Sequence, residues 1–268
     1  MRSEAGEIVG ERSRVASGAG EPRPLISFVV PAHDEEALLP RTLESLHAAA
    51  RAAGVAYEIV VADDDSADAT PRIAAERGAR VERIAARCIA AARNAGASAS
   101  SGEILVFVDA DTVVPEETLA ALVAAVERGA AGGGATVVFD GEIPLWARGF
   151  LFVLNPLMRR ARLSGGCFLF ARREAFDAAK GFDESVLVSE EIGFCRRLRR
   201  CGPFVVLRER VVTSGRKLRA HSFREILAAL GAIALRGRAG ARNRRLVGLW
   251  YGPRREDPGA RLDLPPGR

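Results

Sequence analysis

The chain has 268 residues, of which 48% are hydrophobic and 27% are charged, and its formal net charge is +5. This length can bury a sizeable core, and the composition is that of an ordinary globular protein, which excludes disordered, collagenous and disulfide-scaffold classes. No apolar run reaches the roughly 18 residues needed to span a bilayer. Residues 1–24 are polar and lack the apolar segment of a secretory signal. We therefore expect a cytoplasmic protein.

The charge is unevenly distributed along the chain. Residues 196–255 contain 17 Lys or Arg and only two acids, Glu209 and Glu225, a local balance of +15 that leaves −10 for the remainder. A segment this basic favours phosphates or anionic lipid as a partner. The four cysteines show no C-x-x-C pairing, so the sequence indicates neither a zinc site nor a disulfide framework, and we expect buried, reduced thiols.

The first half of the chain alternates predicted strands with predicted helices, after a disordered arm at residues 1–24. Runs rich in β-branched residues are typical of buried parallel strands, and they occupy 25–31, 57–63, 79–84 and 103–111. Apolar residues at helical spacing and helix start and stop signals predict helices at 35–54, 66–77, 87–101 and from 115 onward. This alternation predicts βαβ units and a mainly parallel sheet flanked by helices.

The second half is less regular. The predicted elements are a strand at 132–142, a mixed connection at 143–166, a strand entering a helix at 167–176, an amphipathic helix at 188–202, short strands at 204–207 and 210–214, and a final amphipathic helix at 223–238. We find no internal repeat and no second core. The predicted division is therefore one α/β domain at 25–215 and a basic helical tail at 216–268.

Polar clusters follow three of the predicted parallel strands. Ligands of such sheets bind outside the carboxyl ends of the strands, so we expect these clusters to converge on one crevice. They are His33-Asp34-Glu35, Asp63-Asp64-Asp65 and Asp109-Ala110-Asp111.

The pair Asp109 and Asp111 is the most informative of these. Two carboxylates separated by one small residue suit Mg²⁺ or Mn²⁺, with substrate phosphates completing the coordination shell. The alternative is an acidic turn that caps the helix beginning near Pro115. The second acid cluster shifts the balance towards a cation, because packed like charges are costly without a cation between them or a hydrogen-bond donor nearby.

The acids Asp63, Asp64 and Asp65 exceed what the cap of the next helix requires. Carboxylates at a strand end can accept hydrogen bonds from a nucleobase imide or a ribose hydroxyl. Arg93 lies on an alanine-rich helix, where it is either a surface arginine or a cation held near a diphosphate.

Glu190 and Glu191 open the predicted helix at 188–202. Acids there gain from the helix macrodipole. The alternative is a general base that removes a proton from an acceptor hydroxyl. The sequence lacks the glycine loops of dinucleotide-binding and P-loop proteins and the G-x-S-x-G elbow.

Five segments, in unbroken order, resemble family 2 glycosyltransferases of the GT-A fold. The resemblance runs from about Leu25 to Leu207 and implies a Rossmann-like sheet, a nucleotide-sugar donor, a divalent metal and transfer with inversion. The segments are FVVPAHDEEALLPRTLESL, YEIVVADDDSADAT, AARNAGASASSGEILVFVDADT, SGGCFLFARREAFDAAKGFDES and SEEIGFCRRLRRCG.

The resemblance also implies site residues by position. In this reading Glu191 deprotonates an acceptor hydroxyl, which then attacks the anomeric carbon from the face opposite the departing diphosphate. The implied residues are Pro31, Ala32, Glu35, Asp63, Asp64, Arg93 and Asp109 for the donor nucleotide, Asp109 and Asp111 for Mg²⁺ or Mn²⁺, Gly165 and Gly166 for the acceptor and sugar loop, and Glu190 with Glu191 for catalysis.

The chain departs from the family pattern at several positions. His33-Asp34 replace the usual Tyr-Asn, Asp65 replaces a Gly, and Glu191 stands where the family usually has Asp. The Gln-x-x-Arg-Trp motif of processive members is absent, which favours a single transfer over polymer synthesis. The alternative functions are a nucleotidyltransferase of related fold and a non-catalytic protein that binds nucleotide sugars.

The basic tail suggests a place of action. The amphipathic stretch at 223–238, followed by the basic run at 241–245, is predicted to lie on the anionic inner leaflet, within reach of a lipid-linked or glycan acceptor. The alternative is a solvated helix that packs against the domain. Nucleic acid is not expected as a partner, because the basic stretch is not interleaved with aromatic residues for stacking.

Overall fold

Eight strands form one sheet in the computed structural model, which describes residues 26–243 and residue 257. Helices cover both faces of this sheet. The strands are β1 Ile26–Ala32, β2 Tyr57–Asp64, β3 Arg80–Ile84, β4 Ile104–Val108, β5 Thr112–Val113, β6 Gly132–Phe139, β7 Phe168–Arg172 and β8 Phe204–Thr213. The helices are α1 Leu39–Ala53, α2 Thr70–Glu76, α3 Ile89–Ala99, α4 Glu116–Glu127, α5 Leu145–Ala161, α6 Arg173–Ala178, α7 Glu190–Cys201, α8 Arg216–Ala220 and α9 Phe223–Ala241.

The strand order is β3-β2-β1-β4-β7-β6-β8-β5. The first four strands in this order are parallel, as the alternation of strands and helices predicts. Strand β7 then runs antiparallel to both β4 and β6, while β8 is parallel to β6. The predicted α/β architecture is confirmed, and its sheet is mixed rather than mainly parallel beyond β4.

Burial on both faces explains why the central strands are apolar throughout. Every residue of β1 and β4 is buried. Phe28 and Val106 point into a core beneath α1 and α4, whereas Val29 and Phe107 point to the opposite core beneath α3 and α7. The helix α1 buries Leu43 on the predicted face and ends at a left-handed glycine. These two cores fix the strand ends that carry the acids.

Two predicted segments in the second half differ from the structure. The predicted strands at 204–207 and 210–214 are one strand, β8, with an irregularity where Arg208 and Glu209 interrupt the pairing with β6. These charged residues interrupt the apolar pattern but not the strand. The predicted mixed connection at 143–166 contains a helix of 17 residues, α5.

The prediction of buried thiols is confirmed for two of the four cysteines. Cys88 and Cys195 are buried as expected, whereas Cys167 is half-buried and Cys201 is exposed. The predicted disordered arm at 1–24 lies outside the described residues, as do residues 244 and 245 of the basic run at 241–245. Within the described part of the chain, no helix is both long enough and apolar enough to cross a bilayer.

Candidate active site

The loops after β1 and β2 are bound to each other at the carboxyl edge of the sheet. The Asp34 amide donates to the Ser66 hydroxyl, and the Asp34 carboxylate accepts from the Ala67 amide at 2.8 Å. The Glu35 amide donates to the Thr70 hydroxyl at 2.7 Å. These bonds bring the first two predicted clusters together, because each loop supplies the acceptors for the other.

Asp64 holds the loop that leads into α3. Its carboxylate accepts hydrogen bonds from the backbone amides of Ala86, Arg87 and Cys88, each at 2.8 Å. Three amide donors satisfy most of the acceptor capacity of a carboxylate. The structure therefore gives Asp64 a positioning role at the place where the sequence predicts a contact with the nucleobase.

Asp63 has a different environment from its neighbour. It is buried at the end of β2, opposite Ala32 in the register of β1. Within the described part of the chain, its Oδ1 atom is buried and has no hydrogen-bond partner, while Oδ2 lies 3.7 Å from Nε of Arg83, an exposed residue. A buried acceptor without a donor is costly and indicates a missing donor. Asp63 therefore fits the predicted base-binding role.

The residue after this pair explains one departure from the family pattern. Asp65 has φ +61°, in the left-handed region that favours glycine. The aspartate adopts the backbone conformation that a glycine would take at lower cost. The departure at residue 65 thus leaves a tight turn after β2 in place.

Arg93 is buried, with 1% of its surface exposed, so the surface alternative is excluded. Its Nη1 donates to Glu190 at 2.5 Å, and its Nη2 donates to Asp109 at 2.9 Å and to the Gly166 carbonyl at 2.7 Å. The guanidinium carbon also lies 5.2 Å from the ring centre of Phe182. One cation therefore joins residues from α3, α7, the end of β4 and the loop before β7.

Burial and charge set the protonation of this cluster. Burial alone would lower the pKa of Arg93, but the carboxylates of Asp109, Glu190 and Glu191 raise it, so the guanidinium stays charged. Burial raises the pKa of Asp109 and of Glu190, although Arg93 opposes both shifts. The cluster therefore combines one fixed positive charge with carboxyl groups that resist ionisation.

Glu191 is the carboxyl group of this cluster whose pKa shift suits a general base. Burial, followed by the neighbouring charge of Glu190, raises the pKa of Glu191 to about 8. It is half-buried, and its Cδ atom lies 3.7 Å from where a Cβ on Gly166 would be. A carboxylate with a pKa near the working pH can both take up and release a proton. The predicted base thus lies against the predicted sugar loop.

A second arginine binds the acids on the other side of the cleft. Arg216, in α8, donates to both carboxylate oxygens of Glu35, at 2.5 and 3.0 Å. Its Nη2 also lies 3.1 Å from Oδ2 of Asp111, whose Oδ1 accepts from Thr213 at 3.2 Å. Burial would lower the pKa of Arg216, but Glu35 and Asp111 raise it. Glu35 therefore faces an arginine rather than an open nucleotide site.

Sequence reasoning missed Arg216 because it placed residue 216 at the start of the tail. The signal that could have found it is strand direction. Strand β8 is parallel to β6, and both are antiparallel to β7, so β8 ends at the same edge as β4. The strand-end rule then applies to the residues after Thr213 as well.

The other predicted site residues are the apolar and small residues Pro31, Ala32, Gly165 and Gly166. Pro31 and Ala32 are buried at the end of β1. Gly166 lies against Arg93, since an added Cβ would approach Nη2 to 3.1 Å, whereas a Cβ on Gly165 would meet only Val137 at 3.5 Å. The loop thus needs its small residue at 166 more than at 165.

Asp109 and Asp111 offer the carboxylate oxygens that Mg²⁺ or Mn²⁺ prefers. Among residues 26–243 and 257, no group of three or more His, Cys, Asp or Glu side chains is arranged to hold a metal ion. Each of the two carboxylates already has a guanidinium group against it. The donor set fits a cation whose other ligands would come from a bound diphosphate.

The sheet and its acidic edge define a GT-A glycosyltransferase fold. A mannosyltransferase from Pyrobaculum calidifontis, solved in complex with GDP-Man and Mn²⁺, matches with a TM-score of 0.59 over 80% of this chain and 63% of its own, at 20% identity. The model of the family described as glycosyl transferase family 2 matches residues 27–179, which is more than half of the chain. The chain belongs to this family.

Curated relatives share part of their length with this chain. The succinoglycan biosynthesis protein ExoO of Rhizobium meliloti is 31% identical over 205 residues, which cover 72% of this chain and 57% of that protein. An undecaprenyl-phosphate 4-deoxy-4-formamido-L-arabinose transferase of Pseudomonas aeruginosa is 40% identical over 170 residues, 58% of this chain and 48% of that protein. The chain thus spans about half the length of these relatives.

Proposed function

We propose that this protein transfers one sugar from a nucleoside-diphosphate sugar to an acceptor hydroxyl, with inversion and with help from a divalent cation. The observation that carries the proposal is the position of Glu191, a half-buried carboxyl group beside Gly166 and the Arg93 cluster, where burial and the charge of Glu190 raise its pKa. A base with this pKa is suited to an acceptor whose hydroxyl must lose a proton.

The donor nucleotide is proposed to bind across the ends of β1 and β2. The buried Oδ1 of Asp63 would accept the hydrogen bond of a nucleobase imide. Asp64 would act indirectly, because it fixes the loop at residues 86–88 that borders the base. Pro31 and Ala32 would form the apolar wall beside the ring.

The diphosphate is proposed to lie between the two arginine clusters, next to Asp109 and Asp111. These two residues would hold Mg²⁺ or Mn²⁺, as the Mn²⁺ complex of the structurally similar mannosyltransferase supports. A bound divalent cation offsets negative charge that grows on the departing diphosphate. Arg216 would then release Asp111 and pair with a phosphate, because its side chain is 23% exposed and already lies against the acid that would hold the cation.

On the other side of the sugar, Glu191 would take the proton of the acceptor hydroxyl. Glu190 would not act as the base, because its carboxylate is bound to Arg93 at 2.5 Å. Its role would be to raise the pKa of Glu191 by its charge and to anchor the start of α7. The hydroxyl oxygen would attack the anomeric carbon opposite the diphosphate, which inverts the configuration.

The acceptor is proposed to be lipid-linked. The Pseudomonas relative is named for undecaprenyl phosphate, which supports a polyprenyl acceptor but also raises a chemical question. A phosphate oxygen is already ionised at neutral pH and needs no general base, whereas a sugar hydroxyl does. The raised pKa of Glu191, which suits a general base, favours a hydroxyl on a lipid-linked saccharide. On this proposal the protein works at the inner face of the membrane, with its basic tail nearby.

Release of nucleoside diphosphate from a panel of nucleotide sugars with Mn²⁺ tests the proposal. Asp111→Asn should lower release at least about 100-fold, whereas Asp177→Asn, at an exposed position of α6, should not. Thermal stabilisation of the wild type by the same panel identifies the donor. Stabilisation without any release of diphosphate, with lipid-linked saccharides present, would favour the non-catalytic alternative. Release of pyrophosphate from a nucleoside triphosphate and a sugar phosphate, supplied in place of the panel, would favour a nucleotidyltransferase.

A further inference from the structure

The helix α5 exposes large apolar side chains on its outer face. Leu145, Phe152, Val153 and Leu157 are 80%, 83%, 65% and 58% exposed, and we call these four residues the α5 ridge. Only Ala147 of this helix is buried. Scattered exposed apolar residues are ordinary on a protein surface, but these four, together with Phe150 of the same helix at 49% exposed, form a patch that marks an interaction site.

Helical geometry places the α5 ridge on one side. At about 100° per residue, its four positions fall within an arc of about 140°. The opposite side faces the sheet, where Ala147 is buried and Asn155 donates to the Val137 carbonyl at 3.1 Å. A helix on the surface of a globular domain normally carries polar residues on its outer face. The α5 ridge reverses that pattern.

The contact between α5 and the rest of the protein is loose. An open cavity of about 980 Å³ is lined by α5 together with the end of β6 and the loop that follows it. Beyond its inner face, α5 meets the start of α9, where the rings of Trp146 and Phe223 have centroids 5.1 Å apart. Phe223 and Leu227 of α9 are themselves about half exposed. The apolar surface therefore continues from one helix to the next.

The charge around the α5 ridge indicates the occupant. The helix contains no acidic residue, and Arg148, Arg159 and Arg160 are exposed along it, with Arg162 directly after its end. A second copy of the chain would bring these arginines together without a carboxylate on the helix to pair with them, which is unfavourable. Lipid headgroups with a negative charge would pair with all of them.

We propose that the α5 ridge inserts into the headgroup region of an anionic membrane, with its arginines on the lipid phosphates. A helix that exposes large apolar side chains next to arginines can lie in the plane of the interface, because the apolar side chains reach the acyl boundary while the long arginine side chains extend to the phosphates. The attachment site is thus the connection between β6 and β7, not only the C-terminal tail. It goes beyond the proposed transfer reaction and does not depend on it, because attachment needs neither donor nor acceptor.

Co-sedimentation of the full chain with vesicles tests this, using phosphatidylcholine alone and phosphatidylcholine with 30% phosphatidylglycerol. We expect binding to the anionic vesicles, and the double variant Phe152→Ser/Leu157→Ser should weaken it by about tenfold or more. Arg159→Glu/Arg160→Glu should weaken it similarly, whereas Arg208→Glu, an exposed arginine on β8, should change it by less than about twofold. Unchanged melting temperatures would show that the variants are folded.

Other outcomes would overturn the proposal. Equal binding to both vesicle types would remove the role of anionic lipid. Loss of binding in Leu235→Ser, at a highly exposed position of α9, but not in the α5 variants would transfer the attachment to the tail. Concentration-dependent dimerisation without lipid, abolished by Phe152→Ser/Leu157→Ser, would identify the ridge as a self-association surface. Diphosphate release is assayed separately, so failure of either proposal leaves the other intact.

Discussion

The two arginines of the cleft bind acids in different ways. The side chain of Arg93 is 1% exposed and bonded to partners from three separate segments, whereas that of Arg216 is 23% exposed and comes from a five-residue helix. Removing a buried cation leaves uncompensated charges, whereas a partly exposed cation can be replaced by water or by a ligand. Arg93 is therefore a fixed positioning residue, and Arg216 is an exchangeable partner of the acids.

The largest effect on stability should come from Arg93→Met. Asp109 and Glu190 would lose their buried cation, so the free energy of unfolding should fall by about 3–5 kcal/mol. Urea unfolding measures the change, and Arg200→Met at an exposed position of α7 is the control. A loss as small as that of the control would mean that the Arg93 cluster is not a structural centre.

Glu191→Gln should have the next largest effect, on rate rather than on folding. If the acceptor is a hydroxyl, loss of the base should lower turnover by about 10²–10⁴-fold. Wild-type turnover should rise with pH and level off near the pKa of about 8, whereas the variant should show no such rise. Undiminished turnover with a polyprenyl phosphate would instead identify an acceptor that needs no base.

The same group makes stability depend on pH. The pKa of Glu191 is raised from 4.5 to about 8 by burial and by Glu190, so the folded protein retains a proton that the unfolded chain loses. The contribution is therefore present below pH 4.5 and is lost as the pH rises through about 8. Urea unfolding between pH 5 and pH 8 should give a falling free energy, and the fall should be smaller in Glu191→Gln. Glu174→Gln, exposed on α6, should keep the wild-type slope.

Arg216→Met should act mainly on cation binding. Without the competing guanidinium, Asp111 should bind Mn²⁺ more tightly in the absence of donor, by about five- to tenfold, because one positive charge is removed from its side. Electron paramagnetic resonance of free Mn²⁺ measures this, with Arg208→Met as the control. Weaker Mn²⁺ binding in Arg216→Met would show that Arg216 organises the site instead of competing for it.

The difference between the Arg93 and Arg216 clusters also shows which features could be predicted from the sequence alone. Strand ends and the acids at 63–65 and 109–111 follow from periodicity and topology rules, and the proposed base at 191 follows from the family resemblance. These features are local in sequence, so short motifs encode them. The contacts that hold the site together join residues far apart in the sequence. Arg93 and Glu190 are 97 residues apart, and Arg216 and Glu35 are 181 residues apart.

The same reason explains the errors in the second half of the chain. Arg208 and Glu209 look like a loop because periodicity cannot show that β6 continues to pair with β8 beyond them. The sequence pattern also does not show that Phe152 and Leu157 of α5 are exposed, because apolar residues at helical spacing normally predict a buried face. The outward orientation of α5 depends on the sheet beneath it. The continuity of β8 and the orientation of α5 therefore depend on contacts with the rest of the fold rather than on the local sequence pattern.

The smallest effect should distinguish the two glycines of the sugar loop. A Cβ on Gly166 would approach Nη2 of the rigidly held Arg93 to 3.1 Å, whereas one on Gly165 would make an ordinary contact with Val137 at 3.5 Å. Because the partners of Arg93 prevent it from moving freely, Gly166→Ala should lower the free energy of unfolding by about 1 kcal/mol and also slow turnover. Gly165→Ala should stay within about 0.5 kcal/mol of the wild type. Equal losses of unfolding free energy in Gly166→Ala and Gly165→Ala would mean that Arg93 can move aside. Arg93 would then not be the fixed residue that distinguishes it from Arg216.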